Sequence, residues 1–136
     1  MACERLAVLA TEAAAREGLE PGLLMGVMRV ESAFVANAMS PVGAVGLMQV
    51  MPLSGQRAEC GELLDPAQNV ACGARILARF LRYYKGNLTL ALSGYNAGHG
   101  MPNAAQKESR TPRNFQYVED VLRARARFVR QGCAAW

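Results

Sequence analysis

Apolar residues recur along this chain with the spacing of α-helices. In successive segments the apolar side chains stand three, four and seven positions apart, which places them on one face of a helix. Turn-forming residues separate the segments, and prolines stand where first helical residues belong. The predicted helices cover about 4–17, 21–32, 47–50, 66–84, 88–93 and 112–130. No window alternates in the way that a strand requires, so the predicted fold class is all-α.

One carboxylate, that of Glu31, falls on an apolar helix face. Leu24, Val27 and Met28 stand seven, four and three positions before it in the second predicted helix. Burial disfavours the charged form of a carboxyl group and raises its pKa toward the range of a general acid. The alternative is that Glu31, near the helix end, turns to water or pairs with an arginine such as Arg29. Periodicity alone does not decide between the two.

Two glycine-rich segments offer the surroundings of a binding cleft. Residues 40–49 read Ser-Pro-Val-Gly-Ala-Val-Gly-Leu-Met-Gln, a loop that leads into the short predicted helix. Residues 94–98 read Gly-Tyr-Asn-Ala-Gly, a second loop with an aromatic ring and an amide. Glycine lets the backbone approach a ligand closely. Together with Glu31, these segments indicate a cleft for a polar, ring-shaped ligand.

The composition is typical of a globular protein. The chain has 136 residues, of which 51% are hydrophobic and 19% charged. That balance excludes a disordered chain and a coiled coil, and the length predicts a single domain over residues 1–136. No run approaches the roughly 18–20 apolar residues of a membrane span, and the start lacks the basic-then-apolar order of a secretory signal. We therefore expect a mature or trimmed chain with no integral membrane segment.

The net charge of +4 comes almost wholly from arginine, since Lys85 and Lys107 are the only lysines. Such an excess favours an anionic partner, and nucleic acid is one candidate because arginines crowd the last predicted helix. Their spacing, however, spreads them around the helix, and Glu119 and Asp120 are close enough to pair with them. A solvated helix face is the better interpretation, and no nucleic-acid partner is predicted. The arginines concerned are Arg123, Arg125, Arg127 and Arg130.

Four cysteines predict two disulfides. An even cysteine count in a small basic chain is typical of an oxidising compartment, although three pairings are arithmetically possible. Cys60 precedes the long helix that contains Cys72, and Cys3 and Cys133 lie near the two ends of the chain. We therefore predict the pairs Cys60–Cys72 and Cys3–Cys133, with four reduced, buried cysteines as the alternative. No metal site is predicted, because no C-x-x-C occurs and His99 is the only histidine.

Five blocks of sequence carry a resemblance that covers most of the chain, from about residue 20 to 122. They are Val-Glu-Ser-Ala-Phe at 30–34, Ser-Pro-Val-Gly-Ala-Val-Gly-Leu-Met-Gln-Val-Met-Pro at 40–52, Asp-Pro-Ala-Gln-Asn-Val-Ala-Cys-Gly at 65–73, Ala-Leu-Ser-Gly-Tyr-Asn-Ala-Gly at 91–98 and Tyr-Val-Glu-Asp-Val-Leu at 117–122. The Glu-Ser, Gly-Leu-Met-Gln and Tyr-Asn-Ala-Gly blocks are together highly specific. The chain resembles the catalytic domain of the soluble lytic transglycosylases, the lysozyme-like enzymes of glycoside hydrolase family 23 type that cut bacterial peptidoglycan.

The resemblance implies a lysozyme-like, all-α domain with a long glycan-binding groove. Glu31 matches the single catalytic acid/base, and the hydroxyl of Tyr117 is expected near its carboxylate. Further residues match positions that neighbour the acid, contact the sugar or shape the groove. They are Ser32, Ser40, Met48, Gln49, Tyr95, Asn96 and Tyr117. No cofactor or metal is implied, the implied partner is the peptidoglycan glycan strand, and we expect a monomer.

The chain departs from the family pattern near the second glycine-rich segment. Gly94 stands where the family usually has alanine, a small change that we expect to spare the site. Gly98-His99-Gly100 replaces the usual Gly-Pro-Gly, and residues 100–117 do not align with the usual Glu-Thr-x-x-Tyr pattern. The shape of the groove rim on that side is therefore left open.

The resemblance also implies a one-acid mechanism. An ordinary glycosidase uses two carboxyl groups, whereas the other acids of this chain fall on caps, connections or outer helix faces. In a lytic transglycosylase the N-acetyl group of N-acetylmuramic acid assists bond cleavage, and the 6-hydroxyl of that sugar closes a 1,6-anhydro ring without water. Two alternatives stay open: a goose-type-lysozyme-like hydrolase that uses water, and a non-catalytic peptidoglycan-binding protein. The predicted location is periplasmic or extracellular, with the export signal absent from this sequence.

Overall fold

Seven α-helices build the structure, a computed structural model that describes residues 1–136. Pro21, Pro52 and Pro66 each begin a helix, and Gly18 ends the first one in the left-handed conformation with φ 70°. The all-α fold class is confirmed. None of the helices is long and apolar enough to cross a membrane. The elements are α1 Cys3–Glu17, α2 Pro21–Ser32, α3 Pro52–Arg57, α4 Pro66–Tyr83, α5 Leu88–Ala97, α6 Gly100–Lys107 and α7 Phe115–Gln131, followed by a 3₁₀ turn at Gly132–Ala135.

Helix α2 lies in the middle of the hydrophobic core. Every residue from Gly22 to Met28 is buried. Helix α7 packs against α2 so closely that a Cβ atom on Gly26 would lie 2.7 Å from the carbonyl oxygen of Val121. Glycine at this position lets the two backbones meet. Glu31, near the end of α2, is therefore carried by the most deeply buried helix of the fold.

Both predicted disulfides are present. Cys3–Cys133 joins the start of α1 to the C-terminal 3₁₀ turn, with the two Cα atoms 5.7 Å apart. Cys60–Cys72 joins the connection after α3 to α4, with a Cα–Cα distance of 5.6 Å. No cysteine is left free. The alternative of four reduced cysteines is excluded.

The short helix predicted at 47–50 is wrong. Val45 and Val50 exchange backbone hydrogen bonds of 2.9 and 3.0 Å, and Val45 also bridges to Met39. These backbone groups pair across the loop and are not available for a helical turn, and Gln49 adopts a positive φ of 50°. Pro52 follows this loop and begins α3.

The second glycine-rich segment is mostly helix and not a loop. Helix α5 continues through Gly94, Tyr95 and Asn96 to Ala97, so the predicted end at residue 93 is too early. The polar helix α6 was not predicted at all. Helix α7 begins at Phe115, after Asn114, and not at residue 112 as predicted. Tertiary contacts accompany each difference: Tyr95 of α5 bonds to the Met48 carbonyl, Ala105 of α6 packs with Tyr84 and Leu90, and Asn114 before α7 bonds to the Ser93 carbonyl.

Candidate active site

Glu31 lies in the last turn of α2. Burial raises its pKa from 4.5 to about 7, and the hydrogen bond that the Tyr117 hydroxyl donates to Glu31 Oε2, at 2.9 Å, acts in the opposite direction. Burial is the larger effect, so a substantial fraction of Glu31 is protonated at neutral pH. No arginine pairs with Glu31, and the Arg29 guanidinium lies instead over the rings of Phe34 and Trp136. The alternative, in which Glu31 turns to water or pairs with an arginine, is therefore wrong.

Two buried tyrosine hydroxyls border the carboxylate. Tyr117, from α7, bonds to Glu31 itself, and Tyr95, from α5, donates to the carbonyl oxygen of Met48 at 2.7 Å. Burial raises the pKa of both hydroxyls well above the usual value, and the charge of Glu31 raises both further. Both groups therefore stay protonated and act as donors. Tyr95 fixes the loop that faces α5, while Tyr117 fixes the acid.

Asn69 attaches the loop before α3 to helix α4. Its side chain is fully buried, and Oδ1 accepts a hydrogen bond from the Met48 N–H at 2.8 Å. Its Nδ2 donates to the carbonyl oxygens of Val45 and Leu63 at 2.9 and 2.8 Å. A Cβ atom on Gly46, where φ is 80°, would collide with the Asn69 amide. Glycine is thus required at residue 46 by both conformation and space.

Ser40 and Gln49 shape the same loop. The Ser40 Oγ accepts a hydrogen bond from the Ala44 N–H at 3.0 Å. The Gln49 Nε2 donates to the carbonyl oxygens of Ala38 and Gly46 at 3.1 and 2.9 Å. Both amide hydrogens of Gln49 are therefore used, and its Oε1 remains without a protein partner.

A cleft of about 540 Å³ opens in front of Glu31, and we call it the Glu31 cleft. Glu31 is the only acidic side chain on its wall. The other predicted residues that line it come from the loop before α3 and from the end of α5; they are Ser40, Gln49, Tyr95 and Asn96. No group of three or more His, Cys, Asp or Glu side chains is arranged to hold a metal ion. The arrangement suits proton transfer to and from a ligand by one carboxyl group.

The remaining predicted residues lie behind this wall. Ser32 is buried, and its hydroxyl donates to the carbonyl oxygen of Met28 at 3.0 Å. Met48 is fully buried and packs on Gly73, where an added Cβ would lie 2.7 Å from its Cε. Tyr117 reaches the cleft only through Glu31. Direct contact of Ser32, Met48 and Tyr117 with a sugar stays a prediction.

Two asparagines that position the site were not singled out from the sequence. Asn69 stands four positions before Gly73 on the apolar face of α4, so the periodicity that marked Glu31 also marks it. Asn114 donates from Nδ2 to the Ser93 carbonyl and to Asn96 Oδ1, both at 3.0 Å. It precedes α7 without any local signal beyond its residue type. The Nδ2 group of Asn96 is left without a protein partner.

The sequence of this chain is similar to known transglycosylase sequences. The family described as Transglycosylase SLT domain matches residues 8–118. A transglycosylase of Enterobacteria phage PRD1 is 36% identical over 100 residues, which is 74% of this chain and 37% of the relative. The membrane-bound lytic murein transglycosylase C of Actinobacillus pleuropneumoniae is 34% identical in an alignment of 110 positions that covers 68% of this chain and 30% of the relative.

Solved structures share the fold. The lytic transglycosylase Slt of Pseudomonas aeruginosa, solved as an inactive mutant, matches 94% of this chain with a TM-score of 0.80 and 29% identity. The 70 kDa soluble lytic transglycosylase of Escherichia coli matches 87% of the chain with a TM-score of 0.67 and 25% identity. The predicted lysozyme-like fold is confirmed. The chain spans about a third of the length of the curated relatives, and 24% and 21% of these two solved chains.

Proposed function

This chain belongs to the Transglycosylase SLT domain family, and from that premise we propose that it is a peptidoglycan lytic transglycosylase. It cleaves the β-1,4 bond between N-acetylmuramic acid and N-acetylglucosamine and leaves 1,6-anhydro-N-acetylmuramic acid. One observation carries the proposal: Glu31 is the only acid on the wall of the cleft, and its pKa is about 7. A single carboxyl group that exchanges a proton near neutral pH fits a reaction in which the substrate supplies the nucleophile.

The proposed reaction returns Glu31 to its starting state. Protonated Glu31 gives its proton to the glycosidic oxygen, and the bond from that oxygen to C1 of N-acetylmuramic acid breaks. The N-acetyl carbonyl oxygen of the same sugar bonds to C1 and forms an oxazolinium-like intermediate. The Glu31 carboxylate then removes the proton of the 6-hydroxyl, whose oxygen bonds to C1 and releases the N-acetyl group. No water is consumed, and Glu31 ends protonated.

The surrounding residues bind and orient the sugar in this proposal. Gln49 Oε1 and Asn96 Nδ2 are an acceptor and a donor on the cleft wall without protein partners. Sugars carry hydroxyl and acetamido groups that pair with both types of atom. Tyr95 acts through the Met48 carbonyl that it holds, and Tyr117 orients the acid. Ser40 keeps the facing loop in its turn.

Exchange of the acid tests the proposal. We expect Glu31→Gln to lower the release of anhydro-muropeptides from purified sacculi by at least about 100-fold, because proton transfer is lost while the hydrogen bond from Tyr117 has an acceptor. Glu12→Gln, on an exposed face of α1, is the matched control and keeps full activity. The products are identified by mass spectrometry.

Three other outcomes of that experiment would contradict parts of the proposal. Full activity of Glu31→Gln excludes Glu31 as the acid. Products that retain the additional water identify a goose-type-lysozyme-like hydrolase. Complete absence of soluble muropeptides from the parent chain identifies a non-catalytic peptidoglycan-binding protein.

The proposed setting follows from the proposed substrate. Peptidoglycan lies outside the cytoplasm, and disulfides such as the two found here persist in oxidising compartments. The net charge of +4 complements the carboxylates that peptidoglycan carries. We propose that residues 1–136 act as one catalytic domain of an exported protein and that this domain is monomeric. Its partner is the glycan strand, and no cofactor takes part.

A further inference from the structure

A second cavity, of about 330 Å³, opens beside the Glu31 cleft between α3 and α4. Ser54, Ile76 and Phe80 line both spaces, so the two cavities adjoin at a shared wall. Gly94 leaves the room that this wall needs, because a Cβ atom there would lie 2.7 Å from the Phe80 ring. The usual alanine of the family would therefore displace Phe80. The proposed reaction makes no use of this second cavity.

Two helix faces bring basic and aromatic side chains to the second cavity. On α4, Arg79 and Tyr83 follow Ile76 by three and seven positions and share its face. On α3, Arg57 follows Ser54 by three positions. Both arginines and Tyr83 line the second cavity. The basic groups thus come from both sides of one concave surface.

The two arginines have no partner within the protein. Arg57 and Arg79 are exposed, and neither takes part in an ion pair or a side-chain hydrogen bond. No Asp or Glu lines the second cavity. A guanidinium group binds a carboxylate through two parallel hydrogen bonds. Two guanidinium groups without a protein partner therefore favour the binding of an anion. Four other arginines of the chain already pair with carboxylates: Arg75, Arg110, Arg123 and Arg125.

An aromatic wall completes the second cavity. The His99 ring lies 4.7 Å from the Phe80 ring and 4.5 Å from the Tyr83 ring, measured between centroids. The Tyr84 hydroxyl lies 2.7 Å from His99 Nδ1 and holds the His99 ring in place. Tyr83 is nevertheless 62% exposed. An exposed ring of this kind offers an apolar face to the C–H face of a sugar.

We propose that the second cavity is a subsite for a carboxylate carried by the glycan strand whose sugars occupy the Glu31 cleft. This inference rests on the proposed function. The carboxylate pairs with Arg57 and Arg79, while a neighbouring sugar ring packs on Tyr83. Peptidoglycan offers two sources of such a group: the free carboxylates of the peptide stem and, on sugars without a stem, the lactyl carboxylate of N-acetylmuramic acid.

Calorimetry on a chain that does not cleave its ligand tests the subsite. In the Glu31→Gln background, binding is measured for a tetrasaccharide with peptide stems, for the same tetrasaccharide without stems, which keeps its lactyl carboxylates, and for neutral chitotetraose. The test variant adds Arg57→Gln and Arg79→Gln. The matched control adds Arg82→Gln and Arg130→Gln, which removes the same charge from two exposed arginines that line neither space.

We expect the test variant to weaken binding of the stem-bearing tetrasaccharide by about 3- to 10-fold in Kd, and the control by less than about 2-fold. The difference shrinks as salt is added. The stem-bearing ligand has no free lactyl carboxylate, because that carboxyl group forms the amide bond to the stem. A loss confined to the stem-bearing ligand therefore assigns the carboxylate to the stem, and a loss confined to the ligand without stems assigns it to the lactyl group. A loss with both ligands shows that the subsite accepts either carboxylate.

Three outcomes overturn the subsite: no loss with any ligand, an equal loss with chitotetraose, and a Glu31→Gln chain that binds neither carboxylate-bearing tetrasaccharide more tightly than chitotetraose. Release of anhydro-muropeptides from sacculi by the chain with intact Glu31 is measured separately. The proposed function and the subsite therefore fail independently.

Discussion

At the scale of single residues, two opposing contacts set the acidity of Glu31. Burial raises its pKa to about 7, while the Tyr117 hydroxyl lowers it by bonding to the charged form. Between pH 4.5 and about 7 the folded chain holds a proton that the unfolded chain has released. The free energy of unfolding therefore falls as the pH rises through that window, by roughly 3 kcal/mol in all, and this contribution is constant above it. In the proposed mechanism this loss accompanies a benefit, because a general acid must be protonated at the working pH.

Removal of the Tyr117 hydroxyl is expected to shift the pH dependence of the reaction. In the parent chain we expect activity to decline as the pH rises past about 7, where Glu31 loses its proton. In Tyr117→Phe burial acts unopposed, so the pKa of Glu31 rises and the decline moves to higher pH. A profile of kcat/KM against pH on peptidoglycan measures this. Tyr95→Phe is the contrast, because its hydroxyl bonds to Met48 and not to Glu31, so the midpoint stays in place. An unmoved midpoint in Tyr117→Phe would contradict the conclusion that the Tyr117 hydroxyl lowers the pKa of Glu31.

At the scale of elements, the site depends on how the loop before α3 is held against α4. The loop has little regular structure of its own, and its backbone is secured by the isolated bridges of Val45 and by the buried Asn69 side chain. The Met48 carbonyl is in turn bonded to Tyr95 of α5. One wall of the Glu31 cleft is thus positioned by side chains of α4 and α5, which bond to Met48 from 21 and 47 positions further along the chain.

Asn69→Ala is expected to release this loop. Three backbone groups lose their partner, the buried ones of Val45 and Met48 and the half-buried carbonyl of Leu63. The free energy of unfolding therefore falls by about 2–4 kcal/mol in urea titration. At temperatures where the variant remains folded, kcat falls at least about tenfold because the cleft wall is misplaced. Asn87→Ala removes the cap of α5 at its far end; it costs about 1 kcal/mol and leaves kcat unchanged. Parent-level kcat in Asn69→Ala would show that the loop holds its place without Asn69.

At the scale of the whole molecule, the two disulfides close loops of very different length. Cys3–Cys133 spans 130 positions and Cys60–Cys72 spans 12. If a disulfide acts by restricting the unfolded chain, its contribution grows with the logarithm of the loop, from about 3 kcal/mol for the short loop to about 5 kcal/mol for the long one. The longer link also holds the C-terminal turn, where the Trp136 ring packs edge-on against Phe34 at 5.3 Å.

Paired replacement by serine is expected to rank the two disulfides. Cys3→Ser with Cys133→Ser lowers the free energy of unfolding by more than Cys60→Ser with Cys72→Ser, as measured by urea titration under identical buffers. Neither pair lines the Glu31 cleft, so both variants keep kcat where they are folded. The reverse order of stabilities would mean that local packing around Cys60 outweighs loop closure.

The sequence by itself determined what depends on neighbours along the chain. The extents of α1, α2 and α4 follow from apolar periodicity, prolines and glycines and match the structure to within a residue or so. Glu31 was marked by lying on an apolar face, and the motif blocks around it pointed to the family. The disulfides followed from the count of cysteines and their places relative to the predicted helices. These signals are local, so they can be evaluated without knowing how the helices pack.

The tertiary structure alone decided which groups meet. Tyr117 bonds to Glu31 across 86 positions, Tyr95 to Met48 across 47, and Asn69 to Met48 across 21. Periodicity predicts which face of a helix is buried but not what that face contacts, and only the contact sets a pKa or fixes a loop. The incorrect helix at 47–50 has the same cause, since its backbone groups found partners across the loop. The second cavity likewise arises only where α3 and α4 bring their exposed arginines to one surface.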